Sequence, residues 1–245
     1  DPVRAKAEGR DPAGMDAETA ALFPDAFEDS PLGEIPRGWR VGTLGEVAEY
    51  VLGGDWGKSE PSSETPVPVH CIRGADIPDL QAGGIGAMPT RYLKSTSASK
   101  RSLKHGDLVI EISGGSPTQS TGRVVRLHQS LLDHVPFEVS CSNFCRLVRL
   151  QTPELSSYAY FWLRWLYATD ALLPYETGTT GIKNFAYTVF SDQHRMLIPN
   201  RTVLEAFDRT VSPMVDQMQA NGIQSLTLAE MRDALLPRLM RGELI

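Results

Sequence analysis

The segment that most constrains this chain is its C-terminal fifth. From Val203 onward apolar side chains recur at Leu204, Phe207, Val211, Met214, Met218, Leu228, Met231, Leu235 and Leu239, with Leu226 and Leu236 beside them. Spacings of three and four residues place them on one stripe of a helix. From Ser212 to Leu239 such a helix would run about 40 Å at about 1.5 Å per residue, longer than one small domain needs to cover its own core. Part of the stripe is therefore expected to face a partner helix, and the nine residues of the run from Leu204 to Leu239, without Leu226 and Leu236, are the expected subunit interface. Docking of a terminal helix on its own domain stays open as the alternative. Gly222 is expected to interrupt or soften the helix.

Charge read as a single number misleads. The net charge of −6 argues against nucleic acid, whose phosphates call for Lys and Arg. Residues 1–34, however, hold nine acidic and three basic side chains, which accounts for the whole excess, and the rest of the chain balances at 21 against 21. Between Arg91 and Arg195 twelve Lys or Arg face eight Asp or Glu, so a mildly positive middle segment sits inside an acidic chain. The richest apolar stretch, Tyr158 to Leu173, is cut by Arg164 and Asp170, which argues against a membrane span. No secretory leader is expected from the acidic opening, and three cysteines cannot all pair, so a reducing cytoplasm is the expected compartment. Scattered histidines and the lone Cys141/Cys145 spacing give no metal site.

Three regions follow. Residues 1–34, rich in Ala, Pro, Asp and Glu, are expected to form a loosely held acidic arm with one short helix, anchored by Phe23 and Phe27. Residues 35–198 read as a strand-and-loop domain, with strands at Val67–Arg73, Asp107–Ser113, Arg123–His128 and Phe144–Leu150. Its best helix is Tyr158–Leu173, N-capped by Ser156 or Ser157, with Phe161, Trp162, Trp165 and Leu166 as a core face and Pro174 as its stop. Residues 199–245 are the long, coiled-coil-type helix, giving an α+β fold class.

Three loops carry the chemistry of recognition. In Gly53-Gly-Asp-Trp-Gly-Lys-Ser-Glu60 small residues permit close backbone approach and Lys58 offers a phosphate contact. In Ser113-Gly-Gly-Ser-Pro-Thr-Gln-Ser-Thr-Gly-Arg123, Gln119 can read adenine and Arg123 guanine, while Ser113, Gly114, Ser116 and Thr118 offer contacts to bases or phosphates. In Thr177-Gly-Thr-Thr-Gly-Ile-Lys-Asn-Phe185, Lys183 is the strongest candidate for a phosphate contact, Thr180 is a candidate DNA contact, and Asn184 is another or else ties the loop to backbone. Ser142 and Asn143 complete the candidate DNA-binding set.

Enzyme chemistry finds less support. Ser97-Ala-Ser-Lys100 fits Ser-x-x-Lys without its companion motifs. Asp107 and Glu111 suggest a metal nuclease, but Glu111 is followed by Ile112 and Ser113 where a Lys would be needed. There is no Asn-Pro-Pro-Tyr for amino methylation and no Gly-x-x-x-x-Gly-Lys-Ser for an ATP motor. A stand-alone metal-dependent nuclease and a coiled-coil adaptor without DNA affinity remain as alternatives.

Two phrases carry a resemblance. Phe207-Asp-Arg-Thr-Val-Ser-Pro213 followed by a helix ending at residues 231–243 in Met-Arg-Asp-Ala-Leu-Leu-Pro-Arg-Leu-Met-Arg-Gly-Glu resembles the distal conserved region of type I restriction-modification specificity subunits, with Met231 where that family usually has Leu. Gly33-Glu-Ile-Pro-Arg-Gly-Trp-Arg-Val-Gly-Thr-Leu-Gly-Glu46 is similar to the opening of their target recognition domain, and the loops at 113–123 and 177–185 are similar to family loops. Asp1 to Arg10 resembles the phrase that follows the central helix of two-domain members, so a fragment or half-subunit is expected, with one recognition domain and no internal repeat. The resemblance implies a non-catalytic chain that reads one part of a bipartite site in double-stranded DNA. It also implies docking to modification subunits that use S-adenosylmethionine and to a motor-nuclease subunit that uses ATP and Mg²⁺, with no cofactor in this chain. Pairing with itself or with an N-terminal half is left open.

Overall fold

The computed structural model describes residues 1–114, 119–178 and 181–243. The chain opens with α1 (Pro2–Ala7) and α2 (Ala17–Leu22), followed by the hairpin β1 (Phe27–Ser30) and β2 (Gly33–Pro36). The expected loose arm is thus two short helices and a hairpin. Asp1 caps α1 by accepting from the Val3 and Arg4 amides at 3.0 and 3.1 Å, and Lys6 Nζ donates to the Ala20 carbonyl at 3.0 Å. These local caps and one long-range tie order a segment whose composition alone suggested disorder.

Next come β3 (Arg40–Thr43), α3 (Leu44–Val47), β4 (Ala48–Gly53), β5 (Val67–Ile72), α4 (Ile77–Gln81), β6 (Thr90–Leu93) and α5 (Ser95–Arg101). Then follow β7 (Leu108–Glu111), β8 (Ser113–Gly114), β9 (Val124–Arg126), α6 (Gln129–His134), β10 (Val139–Cys141) and β11 (Cys145–Leu150). The chain finishes with α7 (Pro153–Ala168), β12 (Glu176–Thr177), β13 (Lys183–Phe185), α8 (Tyr187–Gln193), β14 (Arg195–Ile198) and α9 (Arg201–Met240).

The centre is an antiparallel sheet in the order β4-β11-β7-β9. Successive side chains of a strand point to opposite faces. Leu108, Ile110, Val124, Val148 and Leu150 pack with α7 and α8 on one side. Val109, Val125, Cys145 and Leu147 pack on the other against α4, α6, β5 and β10. Burial on both faces explains why β7 reads Leu-Val-Ile rather than alternating. Smaller sheets, β10-β5-β6, β12-β13-β8 and β14-β3, surround this core.

α7 begins five residues earlier than the apolar pattern suggested. Thr152 is its N-cap, accepting from Leu155 N at 3.3 Å, and Pro153 occupies the first turn, where its missing N–H costs nothing. The two serines expected as caps lie inside the helix, where Ser157 Oγ donates to Asp208 at 2.5 Å and Ser156 Oγ accepts from Arg126 Nε at 3.3 Å. The helix ends at Ala168, before Pro174, because Asp170 turns left-handed at φ 57°. Trp165, expected in the core, is 61% exposed.

α9 fills most of the expected 199–245 span and runs unbroken through Gly222, about 60 Å for its 40 residues. Its first half lies on the chain's own domain. Leu204 is part of the core, and Phe207 meets Tyr158 and Phe161 edge-on at 6.3 and 5.7 Å. Asp216 bonds buried His128 at 2.9 Å. The buried Gln219 amide donates to the Gly83 and Gly84 carbonyls at 2.9 and 3.0 Å. Leu204 and Phe207 are therefore intramolecular contacts, and Met218, whose side chain packs at Gly83, belongs with them. Val211 is half-buried and Met214 exposed. Past Gly222 the apolar stripe is uncovered at Leu228, Met231, Leu235 and Leu239.

The seat makes stability pH-dependent on the acid side. Burial pushes His128 below the usual histidine range, against the pull of its bond to Asp216, and burial also depresses His105 and His194. The unfolded chain then takes up protons first, so stability is complete above an ordinary histidine value of about 6.5 and falls as pH drops below it. Urea unfolding at pH 7.5 and 5.5 is expected to give a lower midpoint at the acid pH. His128→Gln should narrow that gap, and an unchanged gap would contradict the assignment.

Candidate nucleic-acid interface

Four chain segments meet at one end of the central sheet. They enclose an open cleft of about 900 Å³. Ser113, Gly114, Gln119 and Arg123 come from the loop after β7, and Ser142, Asn143 and Phe144 from the turn between β10 and β11. Arg73 and Gly74 follow β5, and Trp56 comes from the loop after β4. Six of the twelve sequence-derived DNA-binding candidates thus share one site. Lys58 lies in an adjoining cleft that also contains Trp56 and Asn143.

The loop carrying Trp56 and Lys58 is tied down rather than free. A Cβ on Gly54 would fall 2.1 Å from the Ser142 carbonyl oxygen, so only glycine permits this approach to the neighbouring turn. Lys58 exchanges backbone bonds with Tyr92 at 3.0 and 2.9 Å. Burial opposes ionisation of Asp55, but bonds from Ser97 Oγ at 2.5 Å and Gly57 N at 3.0 Å outweigh it and hold the carboxyl below its ordinary range. Ser97 of the Ser-x-x-Lys match is therefore an anchor for this loop. The turn bearing Phe144 is equally fixed, since its carbonyl accepts from Ile112 N and Ser113 N at 2.9 and 3.2 Å. Phe144 itself is 51% exposed. A rigidly presented aromatic beside a cleft is suited to contact with bases.

The two carboxylates considered for metal binding are each gripped by an arginine. Arg149 donates to Asp107 at 2.7 and 2.6 Å, and Arg123 donates to Glu111 at 2.8 and 2.6 Å. Burial works against the charge of Arg123, and its bonds to Glu111 more than offset this, so its pKa is raised. Both acids serve as partners for guanidinium.

The third loop is built differently from its sequence reading. Lys183 Nζ lies 3.3 Å from Glu176, whose carboxylate also accepts from Thr121. Much of the lysine charge is thereby neutralised. Asn184 Oδ1 accepts from Ser113 Oγ at 2.9 Å, a side-chain tie added to the backbone pairing of β13 with β8. Ser116, Thr118 and Thr180 lie outside the described residues. Sequence reasoning missed Trp56, Arg73, Glu111 and Phe144 as parts of the site. Trp56 and Phe144 adjoin residues already singled out, whereas nothing in the sequence marks Arg73.

No family model matches the chain. It is 24% identical over 237 residues to the specificity subunit of the type I restriction enzyme HindI of Haemophilus influenzae, covering 93% of this chain and 48% of that protein. It is 26% identical over 221 residues to the specificity subunit of the type I restriction enzyme MjaIX of Methanocaldococcus jannaschii, covering 86% and 45%. The structure of a type I restriction-modification S subunit from M. genitalium superposes with a TM-score of 0.51 at 15% identity, over 82% of this chain and 46% of that one. The chain spans about half the length of the curated relatives it matches. The resemblance read from residues 33–46 and 207–243 is borne out, as is the α+β fold ending in a long helix. No helix among the described residues is long and apolar enough to cross a membrane.

Proposed function

We propose that this chain, a relative of type I restriction-modification specificity subunits matching one half of their length, is a non-catalytic reader of one part of a bipartite DNA site. The observation that carries the reading is the cleft, where amides, hydroxyls and two arginines, Arg73 and Arg123, come together from separate loops with Trp56 and Phe144. Such groups match the donors and acceptors of base edges. In this reading the exposed end of α9 docks modification subunits, a second copy of this chain or an N-terminal half of the subunit. S-adenosylmethionine, ATP and Mg²⁺ would be bound by those partners and by the motor-nuclease subunit, and none by this chain.

Titration of the full chain with duplex DNA across a salt series tests the reading. Affinity is expected to fall as salt rises, because bound phosphates release counterions. Lys58→Ala should weaken binding to all sequences by about 1–2 kcal/mol and make the salt slope shallower by about 0.9. Lys183→Ala should cost less, because Glu176 already offsets its charge. Binding that ignores salt and both substitutions would contradict the proposal.

A further inference from the structure

Arg123 presents the cleft with an edge that its partners leave open. Its Nε and Nη2 donate to Glu111 Oε2 and Oε1 at 2.8 and 2.6 Å. The Glu111 side chain is 3% exposed and the Arg123 side chain 14%. Two glycines make room for the pair: a Cβ on Gly74 would lie 2.2 Å from Glu111 Oε1, and one on Gly114 3.1 Å from it. A side-on grip of this kind fixes the guanidinium plane and uses one hydrogen on Nε and one on Nη2. Both Nη1 hydrogens and the second on Nη2 lie along the other edges, away from Glu111. Gln119, with its amide oxygen turned to the arginine, places that oxygen 2.7–2.8 Å from all three guanidinium nitrogens. A point equidistant from three nitrogens of a planar group lies over its face. The in-plane donors stay available.

Charge decides what these donors suit. The pair has no net charge, and a phosphate placed on Arg123 would stand close to the buried Glu111 carboxylate and be repelled. A neutral edge with two adjacent acceptors meets no such penalty. Of the four base pairs, only guanine offers two adjacent acceptors, O6 and N7, at the spacing of paired N–H donors. We propose that Arg123, held in plane by Glu111, is the residue through which this chain selects a guanine, donating from Nη1 and Nη2 to O6 and N7. This rests on the DNA-reading role proposed above. Arg149 supplies an internal control, since Asp107 grips it in the same manner but it does not line the cleft.

The test begins with duplexes selected from a random library by the full wild-type chain. Guanine preference is then measured for Arg123→Lys and Arg149→Lys. Arg123→Lys is expected to lose preference at one guanine by on the order of tenfold or more, and to keep its affinity for unrelated sequences. Arg149→Lys should keep the full preference. A second arm leaves the protein untouched: 7-deazaguanine at that position, which removes N7, should weaken wild-type binding by a similar factor. It decides the matter if Arg123→Lys fails to fold. The assignment is overturned by a selected site without guanine, by guanine preference that survives both arms, or by a loss in Arg123→Lys equal for all sequences, which marks a phosphate contact. A wild-type chain that binds no DNA, or binds without sequence preference, overturns the DNA-reading role itself and this assignment with it.

Discussion

Gly222→Ala is expected to destabilise the protein, although the same change in a free helix would stabilise it. Alanine is the better helix former by about 1 kcal/mol, so a solvent-exposed α9 would gain from the substitution. Here a Cβ at position 222 would sit 1.9 Å from the Gly83 carbonyl oxygen and 2.5 Å from its carbonyl carbon. Both are backbone atoms and cannot swing aside. Relief requires α9 or the loop after α4 to move, and either movement strains the two bonds that buried Gln219 makes to Gly83 and Gly84. Overpacking together with loss of buried amide bonds should cost about 3 kcal/mol, which for a chain of this size is a fall in Tm of roughly 6–12 °C. Thermal unfolding followed by circular dichroism gives the sign directly. A higher Tm would mean that the helix does not rest on Gly83.

Beyond that seat, Leu228→Glu combined with Leu235→Glu is expected to abolish association while leaving the domain folded. Leu228 is 58% exposed and Leu235 44%, on a stretch of α9 whose large apolar side chains Leu226, Leu228, Met231, Leu235, Leu236 and Leu239 are all exposed. A stripe of that length is a liability unless covered, and a two-fold related copy or a modification subunit would cover it. Two carboxylates placed in such a seam should raise the dissociation constant of the assembly by about a hundredfold or more. Met218 is the wrong site for this test, because it packs at Gly83 and its loss would unseat the helix. Sedimentation with and without modification subunits reads the outcome. A wild-type chain that stays monomeric at high concentration and binds no modification subunit would contradict the assembly role.

What the sequence disclosed and what it hid follow from the range of the interactions involved. The apolar stripe of α9 and the β-rich runs at 67–73, 107–113, 123–128 and 144–150 were legible because burial imprints a local period. The division of the stripe at Gly222 was not. An interrupting glycine and a glycine demanded by a crossing backbone look alike until Gly83 is placed beside it. The same holds for the start of α7, where an apolar count passed over Thr152 and Pro153, and for Ser156 and Ser157, whose partners lie 30 residues or more away. In the candidate site, the residue types of the 113–123 loop pointed to DNA. That Glu111 clamps Arg123 and that Glu176 partly neutralises Lys183 are pairings over 12 and 7 residues that no motif announces.

The central claim, that this chain reads DNA sequence through its cleft, is tested most directly by selection. The full chain is incubated with random duplexes at near-physiological salt, and the bound fraction is sequenced over successive rounds. The account predicts convergence on one short motif, a single block of specified bases, lost when Gln119, Asn143 and Arg123 are all replaced by Ala. A bound pool that stays random through every round, or a motif that survives the triple replacement unchanged, would contradict it.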